Sequence, residues 1–134
     1  MNDCPFCQIV SGKSPAFMVY DDDRFMAFLD IRPWSRGHTL VIPRQHARWV
    51  DDVPDFGAYF EVARKVSTAL KRGLGAERIQ YFTIGDVVFH AHIHVIPRYP
   101  GDRGLLPRFP GERRFGDREM REMAERLRKK INKE

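Results

Sequence analysis

The feature that most constrains this chain is a run at residues 87–97 in which histidine alternates with apolar residues. Because successive side chains of a strand point to opposite faces, the run predicts one strand with an apolar face and a face that carries three imidazoles. The apolar face comprises Val87, Phe89, Ala91, Ile93 and Val95, and the other face Val88, His90, His92, His94 and Ile96. Imidazole is costly to place on a packed sheet without a task, so this spacing predicts a functional site.

Two kinds of site can use such a face. At roughly 3.3 Å per residue, His90 and His94 start about 13 Å apart, which is too far for three rings to bind one metal ion through nitrogens about 2 Å from it. Two neighbouring histidines could still share an ion. Alternatively, one imidazole is structural, a second attacks phosphorus, and a third donates a hydrogen bond or proton to phosphate oxygens. The pattern alone leaves both open.

Length and composition predict one ordinary globular domain, since 134 residues can bury a sizeable core. The N-terminus has no basic region followed by an apolar stretch, and no apolar run approaches the roughly 20 residues of a membrane span. We therefore expect a cytoplasmic protein with no membrane contact. The net charge of +5 would suit nucleic acid or phosphate-rich ligands. Near the C-terminus, however, the basic residues alternate with glutamates, which favours a solvated helix face over a nucleic-acid patch.

The two cysteines, Cys4 and Cys7, form a CxxC motif. In a cytosolic chain this motif indicates a metal site or a redox pair more often than a structural disulfide. A redox motif of the thioredoxin type follows a strand, and no strand precedes this one. Zinc is therefore favoured. Two thiolates are half of a tetrahedral site, and histidine is the natural source of the other two ligands.

The periodicity along the chain predicts the order β, β, β, α, β, β, α. This order indicates an α+β domain with an antiparallel sheet of about five strands, one main central helix packed on one face and a C-terminal helix. The predicted strands are residues 17–20, 24–30, 38–43, 79–84 and the histidine strand, and the helices are 54–72 and 117 onward. Gly85 and Asp86 predict a tight turn that joins the last two strands as a hairpin.

Each predicted helix has an apolar stripe at helical spacing. In the first helix the stripe is Phe56, Phe60, Ala63, Ser67 and Leu70, and in the second it is Met120, Met123, Leu127 and Ile131. A segment rich in Gly, Pro and Arg leads to the second helix and ends at Gly116. We expect it to be an ordered loop or an arm that contacts a dimer partner.

The seven residues 90–96 resemble the signature of the histidine-triad (HIT) superfamily, in which histidine alternates with apolar residues. Other stretches are similar to family blocks and occur in the family's order, namely residues 4–7, 27–33, 37–46 and 97–99. The resemblance covers roughly residues 3–102. It implies a HIT-like fold in a single domain, residues 1–134, with a core at about 3–102 and a C-terminal loop and basic helix at 103–134.

Members of this superfamily hydrolyse nucleotides at the α-phosphate or transfer the nucleotidyl group. The resemblance therefore implies an enzyme that acts on a phosphoramidate, an adenylate or a dinucleoside polyphosphate. His92 would attack the α-phosphorus and form a nucleotidyl-histidine, which water then hydrolyses, while His94 would stabilise the phosphate and assist the leaving group. Neutral imidazole is a competent nucleophile near pH 7, and a protonated neighbour can offset developing charge.

The resemblance also implies the binding residues. Asp30 matches the family's ribose contact, and the residues that match those flanking the base, expected to be a purine, are Phe6, Ile9, Phe28 and Ile31. In members that have CxxC, the structural zinc ligands correspond to Cys4, Cys7, His46 and His90. Because the family usually pairs its protomers, a homodimer is expected.

One departure from the family pattern concerns the loop before the triad. Many members have a longer Gly-rich loop with a Gln-Ser pair that contacts phosphate, whereas Asp86 and Val87 occupy those two places here. An aspartate near a phosphate is repulsive, so substrate preference does not carry over from the family. The rival hypothesis is a zinc-stabilised module that binds a nucleotide or a protein without turnover, and a nucleotidyl transferase or phosphorylase is a second alternative.

Overall fold

The computed structural model describes residues 3–107 and 115–132. It contains one five-stranded antiparallel sheet in the order β1-β2-β3-β5-β4, which confirms the predicted α+β class. The strands are β1 Met18–Asp21, β2 Phe25–Leu29, β3 Thr39–Pro43, β4 Arg78–Thr83 and β5 Ile93–Arg98. The α-helices are α1 Pro5–Val10, α2 Phe56–Leu74 and α3 Asp117–Asn132.

The register of the sheet places one row of side chains across four strands. Phe28 of β2 is opposite Leu40 of β3, Leu40 is opposite His94 of β5, and His94 is opposite Phe82 of β4. Residues directly opposite each other in antiparallel strands share a face of the sheet. His94 therefore lies in the middle of the face that also carries Phe28, and we call this the site face.

The opposite face of the sheet is covered by α2 and α3, which together bury the larger hydrophobic core. The stripe predicted for α3 is confirmed, since all four of its residues are buried. The stripe predicted for α2 is correct except at its start: Phe56, the first residue of the helix, is exposed, although its ring packs on that of Phe60 one turn later. The helix instead buries Tyr59, whose hydroxyl donates to the carbonyl of Val41.

The site face has a smaller core formed by Phe6, Met26, Phe28, Leu40 and Ile42. The short helix α1 supplies Phe6, with Pro5 at the first helical position, where a proline is well tolerated. Within the described residues, no helix has the length and apolar character needed to cross a membrane. Half of the segment that we expected to be a loop or a dimer arm, residues 108–114, lies outside the described residues.

The prediction of one strand over residues 87–97 is wrong, because β5 begins only at Ile93. The tight hairpin at Gly85 and Asp86 is also wrong: the β4–β5 ladder ends where Thr83 faces Ile93, and residues 84–92 form a loop. Val87 and Phe89 were expected in the core but are 83% and 51% exposed. The chain leaves the ladder because Ala91 donates its N–H to the carbonyl of Ala47 instead of to β4.

Candidate functional site

Two cysteines and two histidines meet where α1 approaches the site face. Cys4 is the N-cap of α1 and Cys7 lies in its first turn, while His46 follows β3 and His90 lies in the loop before β5. The Sγ of Cys4 is 3.3 Å from Nδ1 of His90, and the Sγ of Cys7 is 3.3 Å from Nδ1 of His46. All four donor atoms lie within 4.8 Å of one another, so the structure brings together the four predicted metal ligands.

The chemistry of this donor set fits a structural zinc ion. Ideal tetrahedral bonds of about 2.0 to 2.3 Å place donor atoms roughly 3.3 to 3.8 Å apart, close to the separations found here. His90 donates its Nε2–H to the carbonyl of Pro43 at 2.8 Å, which leaves the lone pair of Nδ1 directed at the two sulfurs. Both cysteines are free thiols, so no disulfide competes with a metal.

His92 lies next to this cluster, and its ring orientation is set by the main chain. Its Nδ1 is 2.8 Å from the carbonyl oxygen of His90. A carbonyl can only accept, so Nδ1 carries the proton and Nε2 of neutral His92 holds a lone pair. Burial lowers the pKa of His92, opposed by the His90 carbonyl, so the ring is neutral at neutral pH. The sequence predicted the position of this imidazole but not the hydrogen bond that orients it.

His94 follows on β5, with its ring centroid 4.9 Å from that of His92. Its Nδ1 is 2.9 Å from Nε2 of His38, a buried histidine directly before β3. Burial lowers the pKa of His94 to about 4 and that of His38 to about 3, with the neighbouring imidazoles adding to both shifts. No role was predicted for His38. Its position on a buried strand end beside the triad becomes evident only from the pairing of β3 with β5.

Asp30, which was predicted to contact the ribose, lies beside His38 and His94. One carboxylate oxygen accepts the N–H of Arg32 at 2.8 Å, and the other is 3.7 Å from Nε2 of His38. Burial raises the pKa of Asp30, opposed by the Arg32 N–H and charge.

Asp30, His38 and His94 have donor atoms within 4.8 Å of one another, which raises the question of a second metal site. The backbone N–H of Trp34 donates to Nδ1 of His38 at 3.0 Å, so Nε2 must carry the proton in the neutral ring. Binding a metal through Nε2 would require an imidazolate. These three residues therefore do not fit a metal ion.

The residues predicted to flank the base fall into two groups. Phe6 and Phe28 are buried with their ring centroids 5.5 Å apart, and Phe6 also packs edge-on against His92 at 5.2 Å. Ile9 packs on the same apolar cluster, whereas Ile31, just after β2, is 56% exposed. The structure thus places an apolar wall on one side of His92 and an exposed isoleucine beyond Asp30.

A second aromatic wall, which the sequence did not indicate, lies on the other side of His94. Trp34 stacks on His94 with centroids 6.0 Å apart and packs against Phe82 of β4 at 5.8 Å. His92 and His94 therefore lie between two aromatic walls. Trp34 was part of a predicted turn, and only its spatial approach to β4 and β5 reveals this position.

The loop at residues 84–92 is held by the segment that follows β3. The guanidinium of Arg48 lies 4.4 Å from the ring of Trp49 and 3.9 Å from that of Phe89. A Cβ on Gly85 would come within 2.4 Å of the Trp49 ring, so only glycine fits there. Asp86 and Val87, in the places of the family's Gln-Ser pair, are both exposed.

The chain is similar to a known protein family and to individual proteins of that family. The family model described as "HIT domain" matches residues 11–101. An uncharacterised HIT-like protein of Borreliella burgdorferi is 41% identical over 111 residues, which span 76% of this chain and 80% of the relative. The adenylylsulfatase HINT3 of Arabidopsis thaliana is 35% identical over 108 residues, which span 75% of this chain but only 55% of the plant protein.

Among solved structures, a zinc-bound histidine triad family protein from Mycobacterium smegmatis superposes with a TM-score of 0.84 and 36% sequence identity. The match covers 98% of this chain and 95% of that protein. It includes α1 and its two cysteines, which precede the residues matched by the family model.

Proposed function

This chain belongs to the HIT family, and we propose that it hydrolyses a nucleotide at the α-phosphate through a nucleotidyl intermediate on His92. One observation carries the proposal: the hydrogen bond from Nδ1 of His92 to the carbonyl of His90 leaves a lone pair on Nε2 beside His94. A buried, neutral imidazole with a free lone pair is a suitable nucleophile for phosphorus.

The reaction would proceed in two steps. Nε2 of His92 bonds to the α-phosphorus while the bond from phosphorus to the leaving group breaks. The leaving group departs with that electron pair, accepts a hydrogen bond from His94 and takes any proton it needs from water. Water then attacks the phosphorus of the nucleotidyl-histidine and loses a proton to the solvent. The N–P bond breaks, its electron pair returns to Nε2 of His92, and the mononucleotide is released. A proton donor beside the nucleophile offsets charge as it develops on the leaving group.

The other site residues would hold the nucleoside. Asp30 has one carboxylate oxygen on the N–H of Arg32 and the other 3.7 Å from Nε2 of His38, and it would accept hydrogen bonds from the ribose hydroxyls. The apolar wall formed by Phe6, Ile9 and Phe28, together with the exposed Ile31, would take the base. It offers stacking and apolar surface without a side-chain donor or acceptor, which supports a purine because of its larger ring system but gives little discrimination between purines.

We propose that Cys4, Cys7, His46 and His90 bind a structural zinc ion. The convergence of their donor atoms supports this, as does the zinc-bound relative from Mycobacterium smegmatis. Such an ion would fix His90, whose carbonyl in turn orients His92. The zinc would thus act on the chain's geometry and take no part in the chemical steps.

We also propose an oligomeric state, a cellular location and a domain organisation for this enzyme. We propose a homodimer, supported by the outer edge of β4, which has no partner strand within the described residues and carries the exposed Tyr81. We propose a cytoplasmic location, consistent with two unpaired thiols. We also propose one domain over residues 1–134, because α3 shares its core with α2 and the sheet.

The type of substrate is proposed from the plant relative. Because that protein is named an adenylylsulfatase, an adenylate with an anionic leaving group is the first substrate to test, before phosphoramidates and dinucleoside polyphosphates. A nucleotidyl transferase or phosphorylase would form the same intermediate on His92 and pass the nucleotide to phosphate or another acceptor in place of water.

The test is to incubate the zinc-loaded protein with adenosine 5′-phosphosulfate, adenosine 5′-phosphoramidate and a diadenosine polyphosphate. We expect release of AMP from at least one of them. After a rapid quench in denaturant at alkaline pH, where the N–P bond of a histidine adduct survives, we also expect a mass increase of one adenylyl group on the peptide that contains His92. His92→Ala should lose turnover by at least a thousandfold while it still binds AMP, because His92 supplies the covalent step. Arg118→Ala, on the exposed face of α3, is the matched control.

The outcomes separate the alternatives. Wild-type turnover by His92→Ala would overturn the assignment of the nucleophile. Binding of AMP without release of mononucleotide from any of the three compounds would favour the binding module. AMP release that becomes an adenylyl transfer when phosphate is added would identify a phosphorylase.

A further inference from the structure

We propose that Arg48 is a positioning residue that clamps the loop at residues 84–92 in the conformation in which this loop orients His92. The proposal rests on the function proposed for His92 and goes beyond it, since it assigns a role to a side chain outside the triad and outside the four metal ligands. It is carried by one backbone hydrogen bond and by the aromatic contacts that flank it.

A single peptide unit connects His92 to the segment that follows β3. This unit consists of the carbonyl of His90 and the N–H of Ala91. The carbonyl accepts from Nδ1 of His92 at 2.8 Å, and the N–H donates to the carbonyl of Ala47 at 2.6 Å. Because a peptide unit is planar, the bond to Ala47 fixes the direction of the carbonyl that faces His92. The orientation of the ring therefore depends on how the loop lies on residue 47.

Arg48 follows Ala47 directly, and its guanidinium joins the two segments. Its Cζ lies over the Phe89 ring, 3.9 Å from the ring centre, and 4.4 Å from the centre of the Trp49 ring. A guanidinium over an aromatic face is attracted by the quadrupole of the ring. Phe89 directly precedes His90, so this attraction acts beside the peptide unit that orients the reactive ring.

The start of the loop is held by the same two residues, Arg48 and Trp49. A Cβ on Gly85 would overlap the Trp49 ring, so the backbone at this glycine packs directly against the indole. Nη2 of Arg48 is 3.5 Å from the carbonyl oxygen of Gly85, at the limit of a hydrogen bond. The clamp therefore contacts the loop near both of its ends, at Gly85 and at Phe89.

The other contacts of the loop leave the direction of the His90 carbonyl open. Between the two clamped positions, Val88 packs on the smaller core, whereas Asp86 and Val87 are exposed. The ring of His90 is fixed by the Pro43 carbonyl, but the peptide unit that follows can still rotate about the bond from Cα to the carbonyl carbon. After such a rotation His92 would lose its acceptor and could carry its proton on Nε2, the atom proposed to attack phosphorus.

The test compares the wild type with Arg48→Met, both zinc-loaded and without substrate. Methionine keeps an unbranched apolar side chain over the rings but removes the charge. We expect hydrogen exchange at the amide of Ala91 to be faster by about fivefold to thirtyfold, the range that two exposed cation–π contacts correspond to, because this N–H exchanges when its bond to Ala47 opens. Side-chain ¹⁵N NMR should show a fraction of His92 with its proton on Nε2. Arg64→Met, the same change at an exposed arginine of α2, should show neither effect.

Turnover then separates positioning from loop stability. In Arg48→Met we expect a lower kcat, by no more than the factor found for exchange, because a smaller fraction of His92 rings can attack. KM should change little, since the residues proposed to hold the nucleoside lie elsewhere on the site face. Arg48→Lys keeps a cation over the rings and should retain most of kcat and most of the protection of Ala91.

Phe89→Leu tests the aromatic contact independently of the arginine. It removes the ring but keeps apolar volume, and it should also accelerate exchange at Ala91. Because both substitutions break the same contact, the double variant should exchange no faster than Arg48→Met alone. Effects that multiply in the double variant would show that the two side chains act separately and would overturn the clamp.

Failure of this proposal is distinguishable from failure of the proposed function, because exchange and tautomer are measured without turnover. Unchanged exchange at Ala91 in Arg48→Met would overturn the clamp even in an active enzyme. Faster exchange with an unchanged tautomer of His92 and wild-type kcat would overturn the positioning role, since Arg48 would then stabilise the loop and nothing more. A shifted tautomer in a protein that turns over none of the substrates would support the clamp and count against the hydrolase.

Discussion

At the scale of single residues, the five histidines show that the partner of one ring nitrogen decides what the other can do. His90 donates to the Pro43 carbonyl and so offers Nδ1 to the thiols, while His92 donates to the His90 carbonyl and so offers Nε2 to a substrate. In both cases the partner is a backbone atom. The side-chain types are written in the sequence, but their protonation pattern depends on which main-chain groups the fold brings near.

The role of Asp30 gives a prediction at this scale. If its carboxylate accepts hydrogen bonds from ribose hydroxyls, Asp30→Ala should weaken binding of AMP by about tenfold to a hundredfold, because a hydrogen bond to a charged group contributes roughly 1.5 to 3 kcal/mol. Binding of 2′,3′-dideoxy-AMP, which lacks both hydroxyls, should weaken far less. Isothermal titration calorimetry of both ligands with both proteins measures the difference.

The comparison between the two ligands controls for indirect effects of the substitution. Asp30 lies 3.7 Å from Nε2 of His38, so its removal disturbs the neighbouring imidazoles equally with either ligand. Asp30→Asn keeps the shape and the hydrogen bond from Arg32 but loses the charge, and should be intermediate. Equal losses for AMP and its dideoxy analogue would show that Asp30 is structural.

At the scale of secondary-structure elements, the α1 helix depends on what surrounds it. A helix of six residues is too short to be stable alone in water. It is fixed by the burial of Phe6 on the site face and by the two thiols that face His46 and His90. A metal ion there would join three separate parts of the chain, namely α1, the end of β3 and the loop before β5.

Loss of the metal should therefore loosen specific elements. We expect about one zinc per chain by elemental analysis, and a lower Tm for Cys4→Ser or after chelation, because metal binding contributes to folding free energy. Hydrogen exchange should rise first in α1 and in residues 84–92, while β2 and β3 stay protected. Lys13→Ala, an exposed change just after α1, is the control. Metal-free protein with unchanged melting and exchange would contradict the prediction.

The elements also show where sequence patterns succeed and where they do not. Strands β2 and β3 were predicted to within a few residues, because they are bounded by turns and proline and are buried along their whole length. The histidine run was predicted as a strand because its alternation is perfect, yet residues 87–92 are loop. Hydrogen bonds from His90 to Pro43 at the end of β3 and from Ala91 to Ala47 after it outweigh pairing with β4, and a local pattern cannot predict such distant partners.

The candidate site likewise contains residues that the sequence predicted and residues that it did not. The residues Cys4, Cys7, His46 and His90 were named from the sequence and are adjacent in the structure. The contributions of His38 and Trp34 were not predicted, because each depends on contacts across strands that are distant in sequence. The type of each side chain is known from the sequence. Its neighbours in the site are known only from the β3–β5 pairing and the path of the turn after β2.

At the scale of the whole molecule, the two faces of the sheet differ: one carries the candidate site and the other packs on the larger core. The site face holds the imidazoles, the thiols and the smaller apolar cluster, and the opposite face holds the larger core under α2 and α3. The C-terminal helix has more basic than acidic side chains, but its apolar stripe is buried against α2 and β1. We therefore expect α3 to be part of the cooperative unit that supports the site, and not a separate nucleic-acid arm.

Leu127 provides the test of that expectation. It is 0% exposed and lies in the core cluster shared by α2, α3 and the sheet. If residues 1–134 form one domain, Leu127→Ala should lower the free energy of unfolding by about 2 to 5 kcal/mol, the usual cost of truncating a buried leucine. Because α3 and the sheet then unfold together, circular dichroism and loss of the bound metal should report the same single transition in denaturant.

The exposed face of α3 provides the control for Leu127→Ala. Arg118→Ala changes a side chain that is 87% exposed on the same helix, and should leave the transition nearly unchanged. If α3 were instead an appendage, Leu127→Ala would produce an early loss of helical signal while the metal stayed bound through the main transition. A single shifted transition for Leu127→Ala beside an unshifted one for Arg118→Ala would place α3 within the domain that holds the site.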